Sequence, residues 1–68
     1  MTLRELVEDL HGSGLSESEI ARRCETSQPT IHRIRHGKTS DTRASLADRI
    51  RALHGERKAA GLIQEGVG

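Results

Sequence analysis

The hydrophobic pattern of residues 1–24 predicts two short amphipathic helices. In the first, large apolar residues recur at i, i+3, i+4 and i+7 and therefore share one helical face: Leu3, Leu6, Val7 and Leu10. Thr2 and Glu5 form a capping box at its start, and residues 12–14 (Gly-Ser-Gly) end it, because glycine readily adopts the positive φ of a helix exit. The second helix is predicted to begin after Ser16, with Glu19 completing another capping box. Its inward-facing residues are Ile20, Ala21 and Cys24.

The third predicted helix is short and begins close to a proline. Thr26 or Ser27 caps it, and Pro29 is compatible with its first turn, where an N–H would have no partner in the helix. Gly37 ends it. Its large apolar residues are Ile31 and Ile34. We therefore expect one narrow apolar face to hold this helix to the core, and the rest of its surface to be polar.

A fourth helix is predicted after a polar loop at residues 38–42. Asp41 or Thr42 is the expected cap and Gly55 the expected end. Three apolar residues recur between them at i, i+4 and i+7: Leu46, Ile50 and Leu53. Residues 1–55 are thus predicted to form the folded domain. Residues 56–68 form a short C-terminal tail, with either one helical turn or a strand that pairs in a dimer.

The composition leaves room for one small domain. The chain has 68 residues, of which 32% are hydrophobic and none is aromatic, so its core must be thin. A substrate pocket of roughly several hundred Å³ does not fit such a core, and neither catalysis nor a small-molecule substrate is expected. The single cysteine rules out an internal disulfide, and the apolar runs are too short to span a membrane. The first residues lack the pattern of a signal peptide, so a cytoplasmic location is expected.

The charged residues are distributed unevenly, although the net charge is only +1. Residues 1–21 have one basic and five acidic residues, whereas residues 22–58 have ten basic and four acidic residues. Residues 26–40 contain no Asp or Glu and three Lys or Arg residues, which are Arg33, Arg35 and Lys38. This distribution is typical either of a solvated helical face or of a surface that binds a polyanion.

The short spacing between the second and third helices indicates a helix-turn-helix. Few residues separate Cys24 from the next helix, so the two helices must cross steeply and pack their apolar faces together. Residues 15–21 (LSESEIA) and 26–38 (TSQPTIHRIRHGK) resemble the DNA-binding segment of the Cro and repressor proteins of temperate phages and related bacterial regulators. The shared features are an apolar position before a small alanine, apolar positions in the third helix and a closing Gly-Lys. The resemblance extends over roughly residues 3–54.

This resemblance implies an all-α fold, namely a compact lambda-repressor-like helix-turn-helix domain of four to five helices. It also implies a sequence-specific transcription regulator, either a phage Cro-like repressor or a repressor of a mobile element. Such a regulator binds double-stranded DNA as a homodimer at two half-sites, represses by occlusion and is associated with the nucleoid. No cofactor is implied. Glu25 stands where the family usually has glycine, so either Glu25 takes a positive φ, at a cost of about 1 kcal/mol, or the turn differs. The C-terminal region is short, which leaves the dimer contact to Leu53, Leu62 and Ile63.

The outward face of the third helix contains the residues expected to read DNA bases: Gln28, Pro29, His32 and Arg33. Glutamine can form a bidentate pair with adenine, and arginine can do so with guanine. Contacts with the phosphate backbone are expected from the starts of the second and third helices and from the loop after the third. These residues are Ser16, Glu17, Ser18, Ser27, Thr30, Lys38, Thr39, Ser40 and Arg43. Because the charge of Glu17 repels phosphate, its side chain is expected to turn outward.

Two other interpretations concern the tail and the single cysteine. As an alternative to DNA binding, the chain is a small protein-interaction module, such as an antitoxin or a phage inhibitor of a host protein. Leu62, Ile63 and Val67 then form its partner-binding segment.

Cys24 is interpreted as a small core residue. Since Cys24 points to the core and no fourth ligand is evident, we do not expect it to form a zinc site with His32 and His36.

Overall fold

Helices account for the regular structure in the described part of the chain. The computed structural model describes residues 2–38 and 43–63. Four helices lie within these ranges: α1 (Leu3–Gly12), α2 (Glu17–Arg23), α3 (Gln28–Arg35) and α4 (Ala44–Ala59). The predicted all-α class is therefore confirmed, and no described residue forms a strand. None of these four helices has the length and apolar character needed to cross a bilayer.

The starts of α1 and α2 follow the polar capping signals of the sequence. The Thr2 hydroxyl accepts the Glu5 N–H at 3.2 Å, and the Glu5 carboxylate accepts the Thr2 N–H at 3.1 Å, so the capping box of α1 is complete. The bond from the Thr2 N–H lowers the pKa of Glu5. At α2, the Ser16 hydroxyl accepts the Glu19 N–H at 3.1 Å, but the Glu19 carboxylate pairs with Arg22 at 3.0 Å. The capping box predicted for α2 is therefore only half formed.

All four helices end in a turn in which one residue has a positive φ. The residues and their φ angles are Gly14 (107°), Glu25 (57°), Gly37 (68°) and Gly61 (78°). In each turn, N–H groups bond back to carbonyls of the last helical turn, as the Lys38 N–H does to the Arg33 carbonyl at 2.8 Å. The helix ends predicted at residues 12–14 and at Gly37 are confirmed.

The core is formed by apolar residues from all four helices and from three segments that flank them. They are Leu6, Val7, Leu10, Leu15, Ile20, Ala21, Cys24, Ile31, Ile34, Ile50, Leu53 and Ile63. Helix α1 packs against each of the other three helices, and α2 packs on α3. The apolar faces predicted for the helices are thus confirmed.

The core also includes two of the three residues predicted to contact a second copy of the chain. Leu53 and Ile63 are buried within the single chain, because α4 and the segment after it fold back onto α1. Leu62 is the exposed member of the three, with 51% of its surface accessible. The structure therefore does not bring the three residues together on one surface.

Helix α4 continues beyond the glycine that was expected to end it, and it reaches Ala59. A glycine inside a helix is less favourable than alanine by about 1 kcal/mol. Contacts further along offset this cost, since Arg57 donates to the Ser13 hydroxyl at 2.7 Å and to the Ser13 carbonyl at 2.9 Å. On the same side of α4, buried His54 lies 3.0 Å from Asp9. The predicted helix end at Gly55 is therefore wrong.

The loop before α4 lies outside the described residues. Arg43 occupies the N-cap position of α4, which the sequence analysis assigned to Asp41 or Thr42. Five residues for which the sequence predicts a role lie outside the described ranges: Thr39, Ser40, Asp41, Thr42 and Val67.

Candidate functional site

Helices α2 and α3 pack together through the apolar residues that the sequence predicts. The buried residues of this contact are Ile20, Ala21, Cys24, Ile31 and Ile34. Cys24 has no exposed surface, and its burial raises the pKa of the thiol. The thiol is therefore protonated and unreactive at neutral pH. This confirms the interpretation of Cys24 as a core residue.

The turn between α2 and α3 places Glu25 in the left-handed region, with a φ of 57°. The Glu25 N–H bonds to the Arg22 carbonyl at 3.3 Å, and the Thr26 N–H bonds to the Ala21 carbonyl at 2.9 Å. The Glu25 carboxylate lies 3.2 Å from Arg49 of α4. Of the two alternatives left open by the sequence, the chain therefore adopts the positive φ.

The exposed surface of α3 contains all four residues that were predicted to read bases: Gln28, Pro29, His32 and Arg33. Two of them have polar partners among the described residues. Gln28 and His32 contact Glu17, whereas Arg33 forms no ion pair with any described residue. We refer to these four residues as the α3 face.

Glu17, the first residue of α2, is the centre of a polar network beside the α3 face. Its Oε1 accepts a hydrogen bond from Gln28 Nε2 at 2.7 Å and lies 3.1 Å from His32 Nδ1. Its Oε2 accepts from Arg35 Nη1 at 3.1 Å, and Arg35 Nε donates to Glu8 Oε1 at 3.2 Å. The network therefore joins α1, α2 and α3. The Glu17 side chain is only 14% exposed, so the network is partly shielded from water.

The charges of this network stabilise each other. Burial opposes ionisation of Glu17, but hydrogen bonds from Arg35, His32 and Gln28 outweigh it and lower the pKa of the carboxyl group. The hydrogen bond with Glu17 raises the pKa of Arg35. At neutral pH, Glu17 is therefore a carboxylate, and the cationic Arg35 lies between two carboxylates.

The orientation of Glu17 corrects the prediction that its side chain turns outward. The side chain turns towards α3 because three hydrogen-bond donors there converge on it. Its partners lie 11, 15 and 18 residues further along the chain, so the periodicity of one helix gives no sign of them. Sequence analysis considered His36 only together with Cys24 and His32, whereas the structure places its ring next to that of His32, with their centroids 4.2 Å apart, and near Glu17. The i, i+4 spacing of these histidines was the available signal.

The described residues predicted to contact phosphate lie near both ends of α3 and at the starts of α2 and α4. Most are exposed, namely Ser16, Ser18, Ser27, Lys38 and Arg43. Thr30 is half-buried, and its hydroxyl lies 2.9 Å from that of Ser27. Ser27 occupies the N-cap position of α3 but makes no side-chain capping bond, because its hydroxyl pairs with Thr30. Neither Lys38 nor Arg43 forms an ion pair with a described residue.

Comparisons of the chain with protein-family models, with curated proteins and with solved structures give no match. The functional interpretation therefore depends on the residues and the geometry described above.

Proposed function

We propose that the chain is a sequence-specific DNA-binding transcription regulator, a repressor that places α3 in the major groove of double-stranded DNA. The observation that supports this most directly is the unit formed by α2, the turn and α3, in which Ile31 and Ile34 are buried and the α3 face is exposed. In a helix-turn-helix, the second helix lies in the major groove and its N-terminal residues contact base edges. The lambda-repressor-like identity of the fold is part of the same proposal.

The distribution of ion pairs separates the basic residues of α3 into two groups. Arg35 is held between Glu8 and Glu17, so it serves to fix α3 on α1 and α2. Arg33 is exposed and forms no ion pair with a described residue, and the same is true of Lys38 after the helix. We therefore assign guanine readout to Arg33 and phosphate binding to Lys38.

Gln28 must exchange one hydrogen-bond partner before it can read a base. Its Nε2 donates to the Glu17 carboxylate at 2.7 Å, and turning the amide to form a bidentate pair with an adenine edge breaks this bond. A hydrogen bond to a charged group contributes about 1.5–3 kcal/mol, so losing it offsets much of what an adenine contact provides. Truncating Gln28 should therefore weaken binding to the operator less than truncating Arg33.

Selection from random double-stranded DNA, followed by binding measurements across a salt series, tests the proposal. Arg33→Ala should weaken binding to the selected site by about 1–3 kcal/mol and relax the preference at one base of each half-site. Lys38→Ala should weaken binding to selected and scrambled duplexes equally. It should also reduce the slope of log affinity against log salt concentration by about one for each phosphate that Lys38 neutralises in the wild type.

Arg51→Ala is the matched control for these arginine and lysine variants. Arg51 is an exposed arginine of α4 that pairs with Asp48 at 3.5 Å, so its removal changes the net charge equally without touching the α3 face. We expect it to leave the base preference unchanged. If Arg33→Ala weakens both duplexes equally, α3 does not read bases. If no sequence is enriched and no variant changes DNA binding, the protein-interaction alternative replaces this proposal.

The proposal includes a homodimer because one unit of this kind reads only a few base pairs. Leu62 is a large apolar residue with 51% of its surface exposed, and we assign it to the dimer contact. Leu62→Glu should produce a monomer in sedimentation experiments. It should also lower the affinity for a two-half-site operator while preserving the affinity for one half-site. A wild-type chain that remains monomeric both alone and on a two-half-site operator would contradict the dimer.

A further inference from the structure

Three side chains with metal-ligating groups meet where the start of α2 faces α3. They are Glu17, His32 and His36, and one donor atom from each lies within 4.8 Å of the donor atoms of the other two. The two histidines are one helical turn apart, which places them on one side of α3. All three side chains reach the surface, Glu17 being half-buried and both histidines exposed.

We propose that Glu17, His32 and His36 bind a divalent transition-metal ion of the Zn²⁺ class. Imidazole and carboxylate are the ligand types that Zn²⁺ accepts, and three protein ligands with one water complete a tetrahedral shell. The proposal does not depend on DNA binding, since the ligands and their geometry belong to the free chain.

The distances require only small movements. With metal–ligand bonds of about 2.0–2.1 Å, neighbouring ligands of a tetrahedral Zn²⁺ ion lie about 3.3 Å apart. The distance between His32 Nδ1 and Glu17 Oε1 is already 3.1 Å. The remaining distances, none longer than 4.8 Å, must shorten by at most about 1.5 Å. A rotation of the exposed His36 ring about its side-chain torsions is sufficient for a movement of this size.

The neighbours of Glu17 also suit a metal site. Arg35 donates a hydrogen bond to Oε2 of Glu17. The other carboxylate oxygen, Oε1, is the closer of the two to His32 Nδ1, at 3.1 Å compared with 3.3 Å for Oε2. A carboxylate that ligates a metal is commonly held by a hydrogen bond to its other oxygen, and Arg35 provides that bond. A metal on Oε1 would displace the amide of Gln28, which is exposed and can turn to water.

A network that only stabilises the packing of α2 on α3 would need a different set of these residues. Gln28, His32 and Arg35 hydrogen-bond with Glu17 directly, whereas His36 contacts the ring of His32 and makes no hydrogen bond through its side chain to a described residue. If the cluster serves only to join α2 to α3, the chain has no need of His36. A metal site has that need, so His36 distinguishes the two functions.

Calorimetric titration of the metal-free chain with Zn²⁺ at neutral pH tests the proposal. The wild type should bind one ion per chain. His36→Ala and His32→Ala should each weaken this binding at least about tenfold. His11→Ala is the matched control, because His11 is an exposed histidine of α1 outside the cluster, and it should bind Zn²⁺ as the wild type does. Circular dichroism of each variant establishes that its helices are retained.

Imidazole resonances of the wild type provide a second measurement that does not depend on variants. Addition of Zn²⁺ should shift the ring signals of His32 and His36 and leave those of His11 and His54 in place. The proposal is overturned if His36→Ala binds Zn²⁺ as tightly as the wild type, or if the ring signals of His32 and His36 do not respond. It is equally overturned if His11→Ala reduces the affinity as much as His36→Ala does.

Discussion

Replacing Glu25 by glycine should stabilise the chain relative to replacing it by alanine, although glycine is normally the less favourable residue. Glu25 has a φ of 57°, and a residue with a Cβ atom in this region is disfavoured by roughly 1–2 kcal/mol. Glycine removes that strain. It also makes the unfolded chain more flexible, which lowers stability by about 0.4–1 kcal/mol. At the midpoints of these two ranges, the balance favours Glu25→Gly over Glu25→Ala by about 0.8 kcal/mol.

The comparison with alanine is needed because Glu25 also forms an ion pair. Its carboxylate lies 3.2 Å from Arg49, and the two side chains are 72% and 48% exposed. A pair this exposed contributes at most about 1 kcal/mol, and both variants remove it equally. The difference between the two variants therefore reports the backbone conformation alone.

Thermal unfolding followed by circular dichroism measures this difference. In a domain of this size, about 0.5–1 kcal/mol corresponds to a Tm difference of roughly 2–8 °C. Arg51→Gly and Arg51→Ala provide the control pair, because Arg51 is exposed and lies in the interior of α4. There glycine should be less stable than alanine by about 1 kcal/mol. If Glu25→Gly is no more stable than Glu25→Ala, residue 25 does not occupy the left-handed region and the description of the turn is wrong.

Three further predictions concern stability. The pKa of Glu17 is lower in the folded chain than in the unfolded chain. The ionised Glu17 carboxylate therefore stabilises the fold at pH values above its unfolded pKa, and this stabilisation is lost as the pH falls through its folded pKa. The difference in the free energy of urea unfolding between the wild type and Glu17→Gln should therefore become smaller as the pH is lowered. A difference that stays constant with pH would contradict this prediction. Cys24→Ser should cost roughly 1–3 kcal/mol in thermal unfolding if the buried hydroxyl finds no hydrogen-bond partner. Under the proposed function, the DNA affinity per folded molecule should stay unchanged. Arg57→Ala should lower the free energy of unfolding by about 1–2 kcal/mol through its two bonds to Ser13, whereas Arg51→Ala should have almost no effect.

Local signals in the sequence predicted the first three helices well, because those signals act within a few residues. Thr2 and Ser16 each cap the helix that follows, and Gly37 ends α3, as their neighbours along the chain require. The buried faces follow in the same way, since the spacing of apolar residues within a helix determines which of them share a face. The helical periodicity of residues 28–36 is local too, and it correctly predicted that Gln28 and Arg33 lie on the exposed side of α3.

The predictions failed where contacts between distant residues decide the outcome. Gly55 is a strong local stop signal, yet α4 passes through it because Arg57 bonds to Ser13 across the fold. Glu17 was expected to turn outward on the basis of its own charge, and the donors that hold it lie on another helix. The grouping of Glu17 with His32 and His36, the proposed metal site, was missed for the same reason, since the carboxylate comes from α2 and the imidazoles come from α3.

The position of Glu17 has a consequence for how the proposed DNA-binding surface would choose its sequence. In the free chain, the carboxylate holds the amide of Gln28 at 2.7 Å and the ring of His32 at 3.1 Å. A non-cognate duplex offers phosphate but no suitable base edge, so it gives Gln28 no replacement for this bond, and the negative charge of Glu17 opposes the phosphates. An adenine at the right position offers a bidentate replacement. Under the proposed function, the charge of Glu17 therefore lowers the affinity for all DNA. Only the cognate site makes Gln28 give up its bond to Glu17, so Glu17 also reduces the discrimination that Gln28 adds.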